Sequence, residues 1–161
     1  MSNISVLARD ADPLVVAEPP INLVPAMLIE RLISPVLVVG DQQVPVPALV
    51  RLRPALRRYL GRHIVIGVRP EHLQDAVVGL PATAGPAAVV LHGRVRLVRQ
   101  AGQDRVVHLE LADAAGGRQP APTLVARVSR RSSVDVGGAI MLAVDTRHLL
   151  AFDADNGRSL W

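Results

Sequence analysis

The sequence predicts a mainly β protein, a small barrel or sandwich of roughly eight to ten short strands with one short helix. Half of the 161 residues are apolar, but the chain has only one Phe, one Tyr and one Trp. The core must therefore be built from Val, Leu, Ile and Ala, and β-branched residues favour strands. Thirteen prolines and twelve glycines punctuate the chain at short intervals, as turns between strands do.

A chain of 161 residues has the length of a single domain. Residues 1–19 are polar and then rich in proline, which predicts a flexible or connecting arm ahead of a domain spanning residues 20–161. Extended structure is expected at Ile21 to Leu32, at Val36 to Val39 before a Gly40-Asp41 turn, and at Val44 to Pro47, where two prolines are typical of an edge.

The best helix candidate is Pro54 to Leu60. Proline stands at its start, Leu56 and Leu60 are four residues apart, and Gly61 follows its end. This spacing predicts a helix of about two turns.

The second half of the chain predicts a hairpin and several further strands. In Val89 to Val98, apolar residues alternate with polar ones, and Val89, Leu91, Val95 and Leu97 are expected on one face. A Gly-containing turn, Ala101 to Asp104, leads into Arg105 to Leu111, which alternates in the same way. Three more extended segments are expected at residues 124–129, 140–144 and 149–152.

The segment Ile66 to Leu73, with the sequence IGVRPEHL, is where a strand predicted at His63 to Val68 meets a turn. Pro70 removes a backbone donor, fixes φ and suits the first position of a helical turn. The acid at Glu71 favours the positive end of such a turn. Locally, the segment is a rigid, charged strand-to-turn junction.

Composition excludes several classes of site. The chain has no Cys, which rules out disulfides and thiolate metal sites. No apolar run approaches the roughly 20 residues that span a bilayer, and the first 12 residues lack the apolar stretch of a signal peptide. We therefore expect a cytoplasmic protein that reaches a membrane only through a partner, and no cofactor.

All 18 basic residues are Arg, and the formal charge is +4. The densest cluster is Arg51, Arg53, Arg57, Arg58 and Arg62. This charge permits nucleic-acid binding, but three isolated aromatic residues cannot supply a set of stacking platforms. Nucleic acid is therefore a minor alternative.

IGVRPEHL resembles a segment of the C-terminal regulatory domain of sugar-importing ABC transporter ATPases. Further segments are similar to that family in the same order. They are Pro20 to Ala26 (PINLVPA), Val95 to Leu109 (VRLVRQAGQDRVVHL) and Leu142 to Leu160 (LAVDTRHLLAFDADNGRSL).

The resemblance implies an OB-like, transport-associated β barrel that regulates the transporter and dimerises through protein contacts. Two positions depart from the family pattern: Arg99 stands where an acid is usual, and Ala101 replaces Leu. The ATPase domain that precedes this region in the family is missing, the chain has no lysine for a Walker A loop, and the ABC signature is absent. We therefore predict no ATP binding or hydrolysis by this chain, which is not expected to be an enzyme.

Five residues form the candidate structural or interface motif: Gly67, Arg69, Pro70, Glu71 and His72. An acid/base role for Glu71 and His72 is the weaker interpretation, because the sequence places no nucleophile or second carboxylate nearby. The histidines show no metal-ligand spacing, and His92 and His108 are expected to face each other across the hairpin. Asp153 to Asn156 resembles part of a calcium loop without its distal Glu, so we interpret it as an Asx-rich turn.

Two functions of different classes remain open. The first is a regulatory and dimerisation module that contacts a second copy or an ABC transporter ATPase subunit. The second is a sensor of a small ligand or oxyanion built on the same barrel. For the first, apolar residues on the outer strand faces are expected to leave a surface patch for a partner: Val90, Val98, Val106 and Val125.

Overall fold

The computed structural model describes residues 21–78, 88–112 and 121–160; the predicted arm at 1–19 lies outside them. In the described part of the chain, ten strands form two five-stranded antiparallel sheets. The first sheet has the order β10-β4-β1-β2-β3, and the second has the order β5-β9-β6-β7-β8. The expectation of a mainly β, OB-like fold is confirmed.

The strands lie on the extended segments that the sequence predicts, except β5, which the sequence does not predict. The first sheet comprises β1 (Asn22–Arg31), β2 (Ser34–Val39), β3 (Gln42–Pro45), β4 (Arg62–Val68) and β10 (Leu150–Asp153). The second sheet comprises β5 (Leu73–Asp75), β6 (Ala88–Ala101), β7 (Asp104–Leu111), β8 (Thr123–Ser129) and β9 (Ala139–Asp145).

One core lies between the sheets and consists of aliphatic side chains. Leu28, Leu37 and Ile64 come from the first sheet and are almost completely buried. Leu109 and Leu142 enter the same cluster from the second sheet. Because residues of one strand face recur every second position, each alternating segment contributes a row of side chains to this core.

The helix lies earlier than the sequence predicts. The α-helix, α1, spans Pro47–Leu52, with a proline in its first turn, and Pro54–Tyr59 is a 3₁₀-helix. The residue before a proline is disfavoured in the helical region, and Arg53, with φ −130° and ψ 74°, separates the two segments. Leu60 then donates its N–H to the carbonyl of Arg57, three residues back. The expected helix at Pro54 to Leu60 is thus a tighter one, and strand β3 ends at Pro45 rather than Pro47.

A β-bulge changes the faces of β6. The β6–β7 hairpin forms as predicted, with Ala101 opposite Asp104, but its register shifts between Val95 and Leu97. A bulge adds one residue to one strand and reverses the side to which the following residues point. Leu97 is therefore exposed, contrary to the expectation from alternation, while Val98 packs against the core.

The same register overturns the expected pairing of two histidines. His108 lies opposite Leu97 in the hairpin, whereas His92 lies opposite Met141 of β9. β7 stops pairing at Leu111, opposite Gly93, so it does not reach His92 in this ladder.

The predicted apolar surface patch does not form at three of its four positions, because Val98 packs against the core and two other residues are buried. Val106 is 1% exposed and Val125 is 8% exposed. Val106 lies between Arg99 and Arg127 in the strand register, where long side chains can cover it. The backbone N–H and carbonyl of Val125 bond to the side chain of Asn22 at the edge of β8. Val90 remains partly exposed.

Candidate interface at the Arg69–His72 turn

Gly67 lies near the end of β4, which runs between β1 and β10. It pairs with Leu23 of β1 on one side and with Leu150 of β10 on the other. A Cβ atom at this position would lie 2.5 Å from Cδ1 of Ile21 and 3.0 Å from Cε2 of Phe152. The glycine therefore provides room for these two side chains to cover the strand.

The turn that follows has a fixed main chain. Pro70 is buried and opens a 3₁₀-helix, Pro70–His72, in which His72 donates its N–H to the carbonyl of Arg69 at 2.9 Å. The side chain of Gln74 donates to the carbonyl of Glu71 at 2.9 Å. β5 then begins at the fully buried Leu73 and pairs with β9. The side chains of Arg69 and Glu71 are exposed on this turn.

His72 joins this turn to the 3₁₀-helix Thr146–His148, which follows β9. The rings of His72 and His148 stack, with centroids 4.5 Å apart and planes at 24°. Partial burial, and then the charge of His148, lower the pKa of His72 below its ordinary value of 6.5, although Glu71 and Asp145 oppose the shift. The neutral imidazole is thus the form that suits the stacked pair.

Asp145 anchors the other half of the pair. Burial raises the pKa of the Asp145 carboxyl, but the hydrogen bonds and charge of Arg147 outweigh it and lower that pKa overall. Nε and Nη2 of Arg147 both donate to this carboxylate at 3.1 Å. Nε2 of His148 lies 3.5 Å from Oδ2 of Asp145. The carboxylate is therefore ionised at neutral pH and holds His148 in place.

Protonation of His72 is expected to weaken the fold as the pH falls below about 6.5. In the unfolded chain His72 takes up a proton near this pH, but in the folded protein its lowered pKa delays uptake, so the unfolded state binds more protons. The urea concentration at the midpoint of unfolding should therefore be lower at about pH 5 than at about pH 7 in the parent. The decrease should be smaller in His72→Gln.

The matched control for this experiment is His63→Gln, which changes an exposed histidine of β4. It should keep the pH slope of the parent. Equal slopes for the parent and His72→Gln would contradict the prediction. The carboxyl of Asp145, whose pKa is lowered from 3.8, contributes only at more acidic pH.

Asn22 ties the first sheet to the second, immediately beside this turn. Its Nδ2 donates to the carbonyls of Val68, at 3.0 Å, and Val125, at 2.8 Å, and its Oδ1 accepts the N–H of Val125 at 2.7 Å. The side-chain amide thus pairs with β8 as the backbone of a neighbouring strand would. Asn22 is only 5% exposed, and its polar atoms are satisfied by these bonds.

The side-chain amide of Gln42 also bonds to backbone groups, at a second place where the two sheets meet. Its Oε1 accepts the N–H of His92 at 2.8 Å, and its Nε2 donates to the carbonyls of His92, at 2.8 Å, and Ala112, at 3.0 Å. β7 ends at Leu111, and the carbonyl of His92 also accepts the N–H of Ala112 at 2.8 Å. The amide of Gln42 therefore binds at the end of the β6–β7 ladder. Two side-chain amides therefore join β1 to β8 and β3 to β6.

The Asp153 turn is an Asx turn, as the sequence predicts. Oδ1 of Asp153 accepts the N–H groups of Asp155, at 2.8 Å, and Asn156, at 3.3 Å, while Oδ2 accepts the hydroxyl of Tyr59 at 3.1 Å. These hydrogen bonds lower the pKa of the Asp153 carboxyl, and the bond from the N–H of Asp155 has the largest effect. Within residues 21–78, 88–112 and 121–160, no three His, Asp or Glu side chains come together as a possible metal site.

The structure brings the five predicted residues together in one continuous junction. Gly67 and Pro70 are buried and shape the main chain, Arg69 and Glu71 face solvent, and half-buried His72 contacts the next turn. No sequence pattern indicated that His148 is the partner of His72, or that Asn22 fixes the junction to β8. Asn22 does stand in the segment PINLVPA on which the resemblance rests.

A family model described as the MalK OB fold domain matches residues 18–73. The trehalose import ATP-binding protein SugC of Mycobacterium tuberculosis is 32% identical over 130 residues, and the match covers 69% of this chain and 33% of SugC. The sn-glycerol-3-phosphate import ATP-binding protein UgpC of Cereibacter sphaeroides is 32% identical over 145 residues, 90% of this chain and 33% of UgpC.

The trehalose/maltose import ATP-binding protein MalK of Thermococcus litoralis is 27% identical over 103 residues, 64% of this chain and 25% of that protein. The chain thus spans a third or less of the length of these relatives. The family model that matches describes an OB fold domain and not an ATPase domain, and the resemblance to sugar-importing transporter ATPases is confirmed.

Among solved structures, the cytoplasmic molybdate-binding protein ModG with molybdate bound has a similar fold. The TM-score is 0.55 with 14% identity, covering 81% of this chain and 94% of ModG. At this identity the likeness concerns the fold alone. In the described part of this chain, no helix is long and apolar enough to cross a membrane.

Proposed function

We propose that this chain, which carries an OB fold domain of the MalK type, is a non-catalytic regulatory and dimerisation domain of a sugar-importing ABC transporter ATP-binding protein. One observation supports this above all. The family model at residues 18–73 is that of the MalK OB fold domain, and the relatives SugC, UgpC and MalK are ATP-binding proteins of importers. In this proposal the domain is located in the cytoplasm, and the transporter holds it at the inner face of the membrane.

Residues 20–161 act as one unit in this proposal. β10 returns near the end of the chain to pair with β4, so the last strand completes the sheet that β1 begins. Asn22 and Gln42 then hold that sheet against the second one. A partner that shifts one sheet would therefore also shift the other sheet, to which it is hydrogen-bonded.

The Arg69–His72 turn is the proposed contact surface. Its main chain is fixed by Pro70, by the Arg69–His72 hydrogen bond and by β5. The exposed guanidinium of Arg69 and carboxylate of Glu71 are therefore presented by a rigid support. Complementary charges on such a surface set the specificity and the rate of association more than the affinity.

The test is co-expression with an ATP-binding subunit of a sugar importer, followed by purification and light scattering. We expect a complex, or a homodimer of the chain alone at roughly tens of micromolar. Reversing both charges, Arg69→Glu with Glu71→Arg, should weaken that association at least about tenfold. Arg94→Glu, a charge reversal on the outer side of β6, is the matched control and should leave association unchanged. A strict monomer that does not co-purify would contradict the proposal.

The alternative is a sensor of a small ligand or oxyanion on the same barrel. The observation that favours it is Arg105, whose Nε is buried and has no hydrogen-bond partner among the described residues, while its Nη1 donates to the carbonyl of Ser132. A guanidinium with a spare buried donor suits an anion. Saturable binding of molybdate or phosphate by the chain in calorimetry, abolished by Arg105→Gln, would favour this alternative.

A further inference from the structure

The tip of the β1–β2 hairpin exposes two large apolar side chains. Leu32 is 96% exposed and Ile33 is 94% exposed. Both residues have positive φ, 48° for Leu32 and 65° for Ile33, and they lie between the paired ends of the strands, Arg31 and Ser34. The tip is therefore a two-residue turn built from residue types that rarely form one.

This conformation and composition cost stability. Two-residue hairpin turns with positive φ favour Asn-Gly, and a β-branched residue in this region is an outlier. Because both side chains are almost fully in solvent, they add nothing to the core that would offset the strain. Strained, exposed residues of this kind indicate a function outside the fold.

The tip projects beyond the strands on either side of the hairpin. The last β4 partner in β1 is Leu28, so β1 continues for three more residues to Arg31. At about 3.3 Å per residue, this ribbon extends roughly 10 Å past β4. On the other side, the last partner of β3 in β2 is Val36, two residues from the start of β2. The apolar tip is thus not flanked by neighbouring strands and is accessible to a surface outside the protein.

A segment that carries arginines is attached at the base of this projection. The segment between β3 and β4 is attached to the ribbon at both ends, where Val46 donates its N–H to Pro35 at 2.9 Å and Gly61 donates its N–H to Leu28 at 2.6 Å. On the ribbon itself, exposed Arg31 adjoins one exposed acid, Glu30. The segment and the first residue of β4 contain no acid and include five exposed arginines: Arg51, Arg53, Arg57, Arg58 and Arg62.

We infer that this tip and its arginines bind the anionic surface of a lipid membrane. Shallow insertion of apolar side chains combined with attraction of basic residues to acidic headgroups is a sufficient pair of signals for reversible membrane binding. Two side chains are far fewer than the roughly 20–30 residues a side of a stable protein interface. A lipid surface needs no shaped pocket, so a small apolar tip with basic surroundings fits it better.

Membrane binding by the tip is independent of the proposed function, and it differs from the expectation that a membrane is reached only through a transporter. Because the chain alone carries the tip and the arginines, binding can be measured without a transporter. Loss of one activity would leave the other intact.

The test is flotation of the full 161-residue chain with vesicles. We expect it to bind vesicles of phosphatidylcholine with about 30% phosphatidylglycerol, more weakly at high salt, and not pure phosphatidylcholine. The variant Leu32→Asn with Ile33→Gly gives the tip its favoured turn residues, so it should fold at least as well as the parent. We expect it to bind anionic vesicles at least about tenfold more weakly.

Two matched variants separate the apolar and charged contributions. Val136→Asn removes an exposed apolar side chain from a different turn and should bind like the parent. Arg57→Gln with Arg58→Gln should bind more weakly and with a smaller dependence on salt.

Membrane binding by the tip would be disproved by a parent chain that does not float with anionic vesicles. It would also be disproved by a tip variant that binds as well as the parent, since binding would then need only the arginines. Self-association of the parent that the tip variant loses, without vesicle binding, would identify a second copy as the occupant.

Discussion

Asn22→Asp is expected to lower the free energy of unfolding by about 3 kcal/mol or more at neutral pH. The new carboxylate has nearly the same shape, but it places an oxygen where Nδ2 now donates to the carbonyls of Val68 and Val125. Two carbonyls would lose their donor, and a charge would be buried beside them. The loss should be measured by urea unfolding followed by far-UV circular dichroism.

The pH dependence of this variant provides a second test. Protonation of the new carboxyl removes its charge and restores one donor, so Asn22→Asp should recover part of its stability relative to the parent at acidic pH. The matched control is Asn156→Asp, the same chemical change in the exposed Asx turn, where the side-chain oxygen accepts the N–H of Arg158. It should change stability little. A small effect at Asn22 would mean that the amide does not hold the sheets together.

Gly93→Ala is expected to destabilise the protein by about 2–3 kcal/mol, because β6 and β7 approach each other closely there. A Cβ atom at Gly93 would overlap Cδ1 of Leu109 and would lie 2.9 Å from the backbone oxygen of Glu110. The leucine can rotate, but the oxygen belongs to the β7 ladder and moves only if the strand moves. Thermal unfolding of the variant and the parent measures the effect.

Gly102→Ala is the comparison for this prediction. Gly102 has a positive φ of 64°, but a Cβ there would have nothing within 4 Å, so the cost is only the conformational one, about 1 kcal/mol. If Gly93→Ala cost no more than Gly102→Ala, the close approach of the two strands would be disproved. Adding Leu109→Val to Gly93→Ala should relieve only part of the loss, because the contact with Glu110 remains.

Both substitutions lie at or beside a place where the two sheets meet. Gly93 follows His92, whose backbone groups are taken up by Gln42, and Asn22 takes up those of Val125. In both places the ladder of one sheet meets a side chain from the other. These side-chain amides therefore join the two sheets in addition to the aliphatic core.

The sequence by itself determined the class of the fold and most of its strands. Alternation with a period of two is a local property, so β7 and β8 could be predicted from their own residues. The Gly-containing turn of the β6–β7 hairpin is equally local. The resemblance around IGVRPEHL located the junction of Gly67 and Pro70, and the buried state of both residues agrees with a role in shaping it.

Only the tertiary structure decided which polar residues join the sheets and which side chains face out. Asn22 and Val125 are 103 residues apart in sequence, and Gln42 and His92 are 50 apart, so no local pattern links them. The bulge in β6 exposes Leu97, and the first hairpin turns at Leu32 and Ile33, where no turn residue stands. Local preference is worth about 1 kcal/mol per residue, and pairing and burial across the whole domain outweigh it.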